Sequence, residues 1–266
     1  MRQIRNLLLM ALAVLLGPAA FLAQGALTPA GALPHFATGG GWKTVWFFIN
    51  SSSNPNAAVQ LNFIVDPGGP RSIPPLANAI TGEVLPAELT YSTTIAPFGL
   101  VAIESTSTDS TATTGWVQVS TDSSTTQVLE SFDYTSLPTN GIVNLQRGGA
   151  LPQYSATATG YMLPFDEAEG DFTAIAIANV TDSTINVAVT TRNYLGATKA
   201  THTLTLTPQQ HTSFVLSKKY TETEGVLGTV EFYTGSPNQI AVMGLSFNGI
   251  NDAFTSELAI PTTAAQ

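Results

Sequence analysis

The chain is 266 residues long, carries 9 Lys and Arg against 18 Asp and Glu for a net charge of −9, and has no cysteine. Without cysteine no disulfide can brace it, so stability has to come from buried core, and the length is enough for two domains that fold without staples. The only adjacent basic pair is Lys218-Lys219, which excludes the clustered Lys and Arg that a phosphate-binding face needs, so nucleic acid is not an expected partner.

Residues 1–25 read as a secretory signal peptide. Arg2 and Arg5 precede the apolar run Leu7–Leu16, which Gly17-Pro18 interrupts before the small-residue end Ala23-Gln24-Gly25. Ten apolar residues are too few to span a bilayer, which takes about 20, so no membrane span is expected after cleavage. Removing both arginines leaves seven basic residues against 18 acidic ones, a mature charge of −11. The expected location is outside the cytoplasm, periplasmic or extracellular, and the absence of cysteine suits a bacterial exported protein.

Residues 26–32 are expected to be a short leader. From there the chain says much the same thing twice. LPHFATGGGWKTVWFFIN begins at Leu33 and LPFDEAEGDFTAIAIAN at Leu163. Leu33-Pro34 match Leu163-Pro164 at an offset of 130, whereas Gly41, Thr44 and Asn50 match Gly170, Thr173 and Asn179 at 129. Further on, Thr94–Pro97 meet Thr205–Pro208, Gly115 meets Gly228, Gln127-Val128 meet Gln239-Ile240, and Ser131-Phe132 meet Ser246-Phe247. The offset drops to 111 between the strand ends and the TIAP stretch, so the first copy holds an insertion, for which the Pro-rich residues 70–86 are the evident loop. The domains are therefore set at 33–152 and 153–266.

Within each copy apolar and polar residues alternate over short runs, as in VQLNFIV from Val59, WVQV from Trp116, NVAVTT from Asn186 and TLTLT from Thr203. Period two marks half-buried strands. Turn clusters such as DPGG and TGSPN break the chain every 8 to 15 residues, and no sustained helical period follows the signal. The expected fold is all-β: two tandem antiparallel β-sandwiches, immunoglobulin-like or fibronectin-III-like. Trp46 and Phe48 match Ile175 and Ile177 and should point into each core. On the opposite face Val45, Phe47 and Ile49 stand where the second copy has Ala174, Ala176 and Ala178. An antiparallel sheet normally leaves one face wet, so the bulky face is expected to be covered by the insertion or the neighbouring domain. Asn50 and Asn179 sit in N-x-S/T sequences, but at strand ends they read as turn formers rather than glycan acceptors.

The GGGWKT lead-in at residues 39–44, the apolar strand ending in Asn, the Pro-initiated turn and the late Gly-led strand resemble a group of secreted bacterial proteins built from paired β-sandwich domains. In those, Gly-Gly-Gly-Trp/Tyr-x-Thr leads into a strand ending Asn-Pro or Asn-x-Thr. The resemblance implies the fold and export, and no activity. The second copy departs from it where EGDFT replaces the Gly-rich lead-in, and the late Asn248-Gly249 is a second departure.

Chemistry-bearing residues are sparse. His35, His202 and His211 have no partner at metal-ligand spacing, and no G-x-S-x-G elbow is present. The acidic run DEAEGD offers Asp166, Glu167, Glu169 and Asp171 as calcium candidates at the domain junction, without the D-x-D-x-D spacing of a calcium loop; a solvated acidic linker is the plainer reading. Val117 and Val119 match Val230 and Phe232 as inward positions, which puts Trp116 and Gln118 on the outer face. There they could stack on a sugar ring, unless Trp116 fills the domain interface or lies under the insertion. No catalytic residue and no cofactor beyond the calcium option are assigned. The expected function is a non-enzymatic structural, adhesive or protein-interaction module of a cell surface or matrix, whose partners are surface proteins or glycans. Carbohydrate binding through Trp116 is the alternative, and a cryptic hydrolase the third reading.

Overall fold

The computed structural model describes residues 26–53, 56–66, 76–86, 88, 90–136, 144–250 and 253–263. The expected signal peptide and residues 70–75 of the insertion lie outside them. Nine strands, β1 (Thr28–Thr38), β2 (Trp42–Asn50), β3 (Ala57–Val65), β4 (Leu76–Asn78), β5 (Thr90–Ile95), β6 (Leu100–Ser105), β7 (Thr113–Thr121), β8 (Thr126–Ser136) and β9 (Asn144–Ala150), make two sheets in the orders β1-β7-β3-β5 and β4-β6-β2-β8-β9. Nine more, β10 (Gly160–Asp166), β11 (Phe172–Asn179), β12 (Ile185–Asn193), β13 (Thr198–Leu206), β14 (His211–Val215), β15 (Leu227–Tyr233), β16 (Ile240–Phe247), β17 (Phe254–Glu257) and β18 (Ile260–Thr262), make the sheets β13-β12-β15-β10-β18 and β14-β11-β16-β17. A single helical turn, α1 (Leu216–Lys219), follows β14. Every paired strand is antiparallel.

The two halves share one strand order, β6-β2-β8-β9 answering β14-β11-β16-β17 and β1-β7-β3-β5 answering β10-β15-β12-β13. The chain is all-β, with sheets packed as sandwiches around alternating inward residues. Leaving out β4, the second strand pairs with the fifth and the third with the sixth, as in immunoglobulin domains. The outer strands differ: β1 pairs with β7, and β8 with β2.

The sequence echo follows from repeated contacts. Gly115 and Gly228 hold equivalent places, and a Cβ there would come within 2.1 Å of the Ile64 carbonyl oxygen and 1.9 Å of that of Arg192. Only glycine admits so close an approach of a neighbouring strand. Thr44 Oγ1 donates to the Ala37 carbonyl at 2.7 Å and Thr173 Oγ1 to that of Asp166 at 3.3 Å, tying the first two strands of each copy together. Asn50 and Asn179 are fully buried and build their own turns, each accepting the N–H two residues on, from Ser52 and Thr181. Asn179 Nδ2 also reaches the carbonyls of Ser183 and Thr207.

The sequence alignment is displaced in one strand pair. Thr44 lies opposite Phe132 and Thr173 opposite Ser246, so Phe132 corresponds to Ser246 rather than Phe247, and the Gln127-Val128 match slips by two. Residues 28–32, expected to be leader, are already strand and pair with β7. Part of the insertion forms β4, an edge strand on β6.

Trp46 and Phe48 enter the first core with Phe36, Phe63 and Phe132, and Ile175 and Ile177 enter the second with Val187, Val230 and Phe232. Opposite Trp46 on β8 stands Glu130, 3% exposed, whose Oε1 accepts the Trp46 indole N–H at 2.8 Å while Oε2 has no partner. Burial holds this carboxyl well above the ordinary carboxylate range, and the indole bond only partly offsets it. A raised folded-state pKa gives stability that is full below the unfolded value of about 4.5 and is lost as pH rises towards the folded one. Glu130→Gln should therefore remove that loss and gain about 1–3 kcal/mol in alkaline solution, read from urea unfolding of parent and variant across pH; a variant whose difference from the parent does not change with pH would contradict a neutral buried carboxyl. A second expectation concerns the tight crossing: Gly228→Ala should cost more than about 4 kcal/mol or block folding, as measured by denaturant midpoint.

Candidate functional site

The two sandwiches meet where β1 of the first lies on β11 and β16 of the second, β7 on β14 and β9 on β17. The face covered by the other sandwich is the small one, Ala174, Ala176 and Ala178; of the bulky face, for which the insertion or the neighbouring domain was expected as cover, Val45 is buried, Phe47 half-buried and Ile49 exposed. Alanine side chains let strand β1 come close, whereas large ones would hold the sheets apart. Trp116 points out of its own core, as expected, yet is 2% exposed: it packs with Ala32, Ala178 and Ala241, and its Nε1 donates to the Gln209 carbonyl at 3.0 Å. The ring face that a sugar would need is taken up by the second sandwich. Gln118, two residues on in β7, is half-buried beside Ala32 and Asn62. After β9, Gln153 exchanges backbone hydrogen bonds with Ala32, and its side-chain amide bonds both N–H and C=O of Val242, straddling the seam.

A buried polar chain crosses the same seam. Asp66, just after β3, accepts from Nδ1 of His211 at 2.8 Å and also from the Thr114 hydroxyl. His211 Nε2 lies 3.0 Å from His35 Nδ1, and the two rings stack with centroids 5.0 Å apart. Asp66, Thr114 and His35 belong to the first sandwich and His211 to the second, so an imidazole of one is held between an imidazole and a carboxylate of the other.

His35 owes its position to a β-bulge. Leu33 faces Val117 but Phe36 faces Gly115, so β1 has one more residue than β7 over this interval, while β10 and β15 run without a slip through the equivalent residues. A bulge re-aims the side chain it displaces. Here it turns His35 away from the core side occupied by Leu33 and Phe36 and towards β14.

The His35 imidazole is lowered to about 3, chiefly by burial and next by His211, with Asp66 opposing. Burial raises Asp66, but the bonds from His211 and Thr114 and the neighbouring imidazoles outweigh it, leaving it below its ordinary value. An ionised Asp66 can only accept, so Nδ1 of His211 carries its proton. Where Nε2 of His211 carries no proton, it accepts from Nδ1–H of His35, and Nε2 of His35 is left with a free lone pair.

His35 stands at the wall of a half-open cleft of about 200 Å³ between the sandwiches, whose sides include Trp42, Ala174, Ala176, Met243, Leu245 and Phe247, with Thr114 and the exposed Ser213 at its polar side. Neither hydroxyl makes a hydrogen bond to His35 among the described contacts. His202 lies elsewhere, bonded to Glu222 at 2.8 Å and stacked on Tyr220.

The acidic run is engaged in turns. Asp166 Oδ1 accepts from the Ala168 N–H, the buried Glu167 Oε1 from Thr173, and Asp171 Oδ1 from Gly249, while Glu169 adopts a left-handed backbone, φ 53°. Among the described residues no three His, Cys, Asp or Glu side chains gather as a metal-holding group, and no helix is long and apolar enough to cross a membrane. Compared with protein-family models, curated proteins and solved structures, the chain has no significant match in any of the three.

The relay was missed in the sequence because its members lie 31, 145 and 176 positions apart. One signal was there: the offset slips from 130 to 129 between Leu33-Pro34 and Gly41, and His35 falls in that interval.

The relay makes stability depend on pH. A histidine lowered in the folded state contributes stability that is full above its unfolded value near 6.5 and is lost as pH falls towards about 3; the lowered Asp66 adds a loss that begins as pH falls below its unfolded value of 3.8. Replacing His35 by Phe should flatten the acid limb. The parent-minus-variant difference should grow by roughly 3–5 kcal/mol between pH 3 and pH 7, measured by urea unfolding.

Proposed function

We propose that this is an exported, non-enzymatic module of two β-sandwiches that works by contact with another protein at a cell surface or in a matrix. The observation that supports it is the outer face of β6-β2-β8. Leu100 pairs with Ile49, and Phe47 with Ala102 on one side and Leu129 on the other, so an apolar row crosses three strands; Leu100 is 50% exposed, Ile49 38% and Leu129 36%. Ile80 and Val84, more exposed still, sit at the β4 turn beside it. At the far end of the same face the ion pairs Lys43–Glu104 and Asp133–Arg147 form a charged margin. An apolar centre with a polar rim is the layout of a protein contact, and contiguous apolar surface on a soluble domain marks such sites. The mature charge of −11, seven basic residues against 18 acidic ones, favours a basic partner surface.

Export rests on the three-part layout of residues 1–25. Glycan binding, the alternative, would have to use aromatic faces other than that of Trp116. A hydrolase would need a nucleophile on His35.

The test places a photo-crosslinking residue at Leu129, or at Thr203 on β13 as a control, in protein produced by cells that secrete it. A single discrete protein adduct, formed from position 129, absent from 203, and abolished by Leu100→Glu, is the expected result. Equal labelling from both positions, or none from 129, would reject the surface. Amino-terminal sequencing of the released chain should begin within a few residues of position 26.

A further inference from the structure

The cleft between the sandwiches is walled by apolar side chains, and its polar side holds a ring nitrogen whose state is set from behind. His35 is 9% exposed, and its Nδ1 is occupied by His211. Its Nε2 bonds to no described group and is not among the fully water-excluded polar atoms, so it keeps contact with the cleft that His35 lines. The Asp66 carboxylate accepts from Nδ1–H of His211, and in the arrangement in which neither ring carries a second proton Nε2 of His211 accepts from Nδ1–H of His35. What remains at the end is one acceptor lone pair in apolar surroundings.

From this we infer that the cleft is a binding site for a small, uncharged, mostly apolar molecule with one hydroxyl group, of the phenol class, whose O–H donates to Nε2 of His35. An anion or a pure acceptor finds no donor at that nitrogen, and a cation would have to be desolvated among alanines and Met243, Leu245 and Phe247. Size sets the other limit: an apolar cavity of about 150 Å³ takes up benzene, so about 200 Å³ holds one ring with a small substituent. Trp42 and Phe247 supply aromatic walls for such a ring. The site also needs both copies, since the lone pair comes from β1 while β11 and β16 provide most of the walls.

The probes are para-cresol and toluene, which differ by the hydroxyl alone, titrated calorimetrically into the chain comprising residues 26–266 at pH 7. One para-cresol per chain is expected, bound about three- to tenfold more tightly than toluene, the worth of one hydrogen bond. Long-range proton–nitrogen spectra should show the bound hydroxyl moving the His35 Nε2 resonance and leaving His202 unmoved. Ser213→Phe, which fills the cleft from an exposed wall position on β14, should abolish binding with the fold and the seam retained, and Ser213→Trp serves the same purpose should the first variant not fold. Equal affinity for the two probes, no binding of either up to their solubility, a response at His202 instead, or undiminished binding by a folded cleft-filling variant would each overturn the site.

Discussion

Three alanines on the outer face of β11, Ala174, Ala176 and Ala178, let the first sandwich lie directly on the second, and the other features of the seam depend on that approach. With bulkier residues at these places β1 would stand off, Trp116 would lose its cover and His211 could not reach both His35 and Asp66. The first hydrophobic core runs on without a break into this contact, taking in Ala176, Met243, Leu245 and Phe254. Phe254 stacks on Phe132 of the first sandwich with rings 6.3 Å apart. Apolar burial of that extent makes the pair one packed body rather than two units on a linker.

The seam also shows how two copies of one fold come to do different things. A single extra residue in β1 creates the bulge that presents His35, and the equivalent strand β10 has none. At the place of Trp116 the second copy has Thr229, and at that of Ala176 the first has Phe47. The first copy thus offers polar and aromatic groups to the seam, and the second offers the alanines of β11, the apolar side chains Met243, Leu245 and Phe254, and one histidine. The outer face of β2 follows from the same asymmetry: it has no alanine counterpart to lie against, and it runs from buried Val45 through half-buried Phe47 to exposed Ile49.

Much of this was legible from residues alone, and for physical reasons. Gly115 and Gly228, Thr44 and Thr173, Asn50 and Asn179 repeat because each does a job that another residue type does badly, so they survive as an echo and reveal the fold and the inward faces. The outward direction of Trp116 was readable from period two; its burial was not, because the cover comes from a strand more than sixty positions later. The pairing of β8 with β16 was misread by one or two residues, since Ser, Phe and Val recur on both sides of a strand and only the hydrogen-bond ladder fixes register. Asp66, His35 and His211 are each unremarkable locally, and only the folded seam makes them one chain of bonds.

Glu130 shows how a polar group can be kept in a core by its neighbour. Trp46 fills the first core, and its indole N–H must find an acceptor once buried; Glu130, directly opposite on β8, supplies one. In the second copy Ile175 takes the place of Trp46, and the residue opposite it is Gly244. Isoleucine asks for no acceptor, and a Cβ at Gly244 would already press within 3.1 Å of Leu163, so neither need nor room for a carboxyl remains. The two positions therefore changed as a pair: a large ring with a polar partner in one core, a smaller aliphatic residue facing bare backbone in the other. The first arrangement leaves Glu130 Oε2 without a partner, a cost that is bearable only while the carboxyl stays protonated.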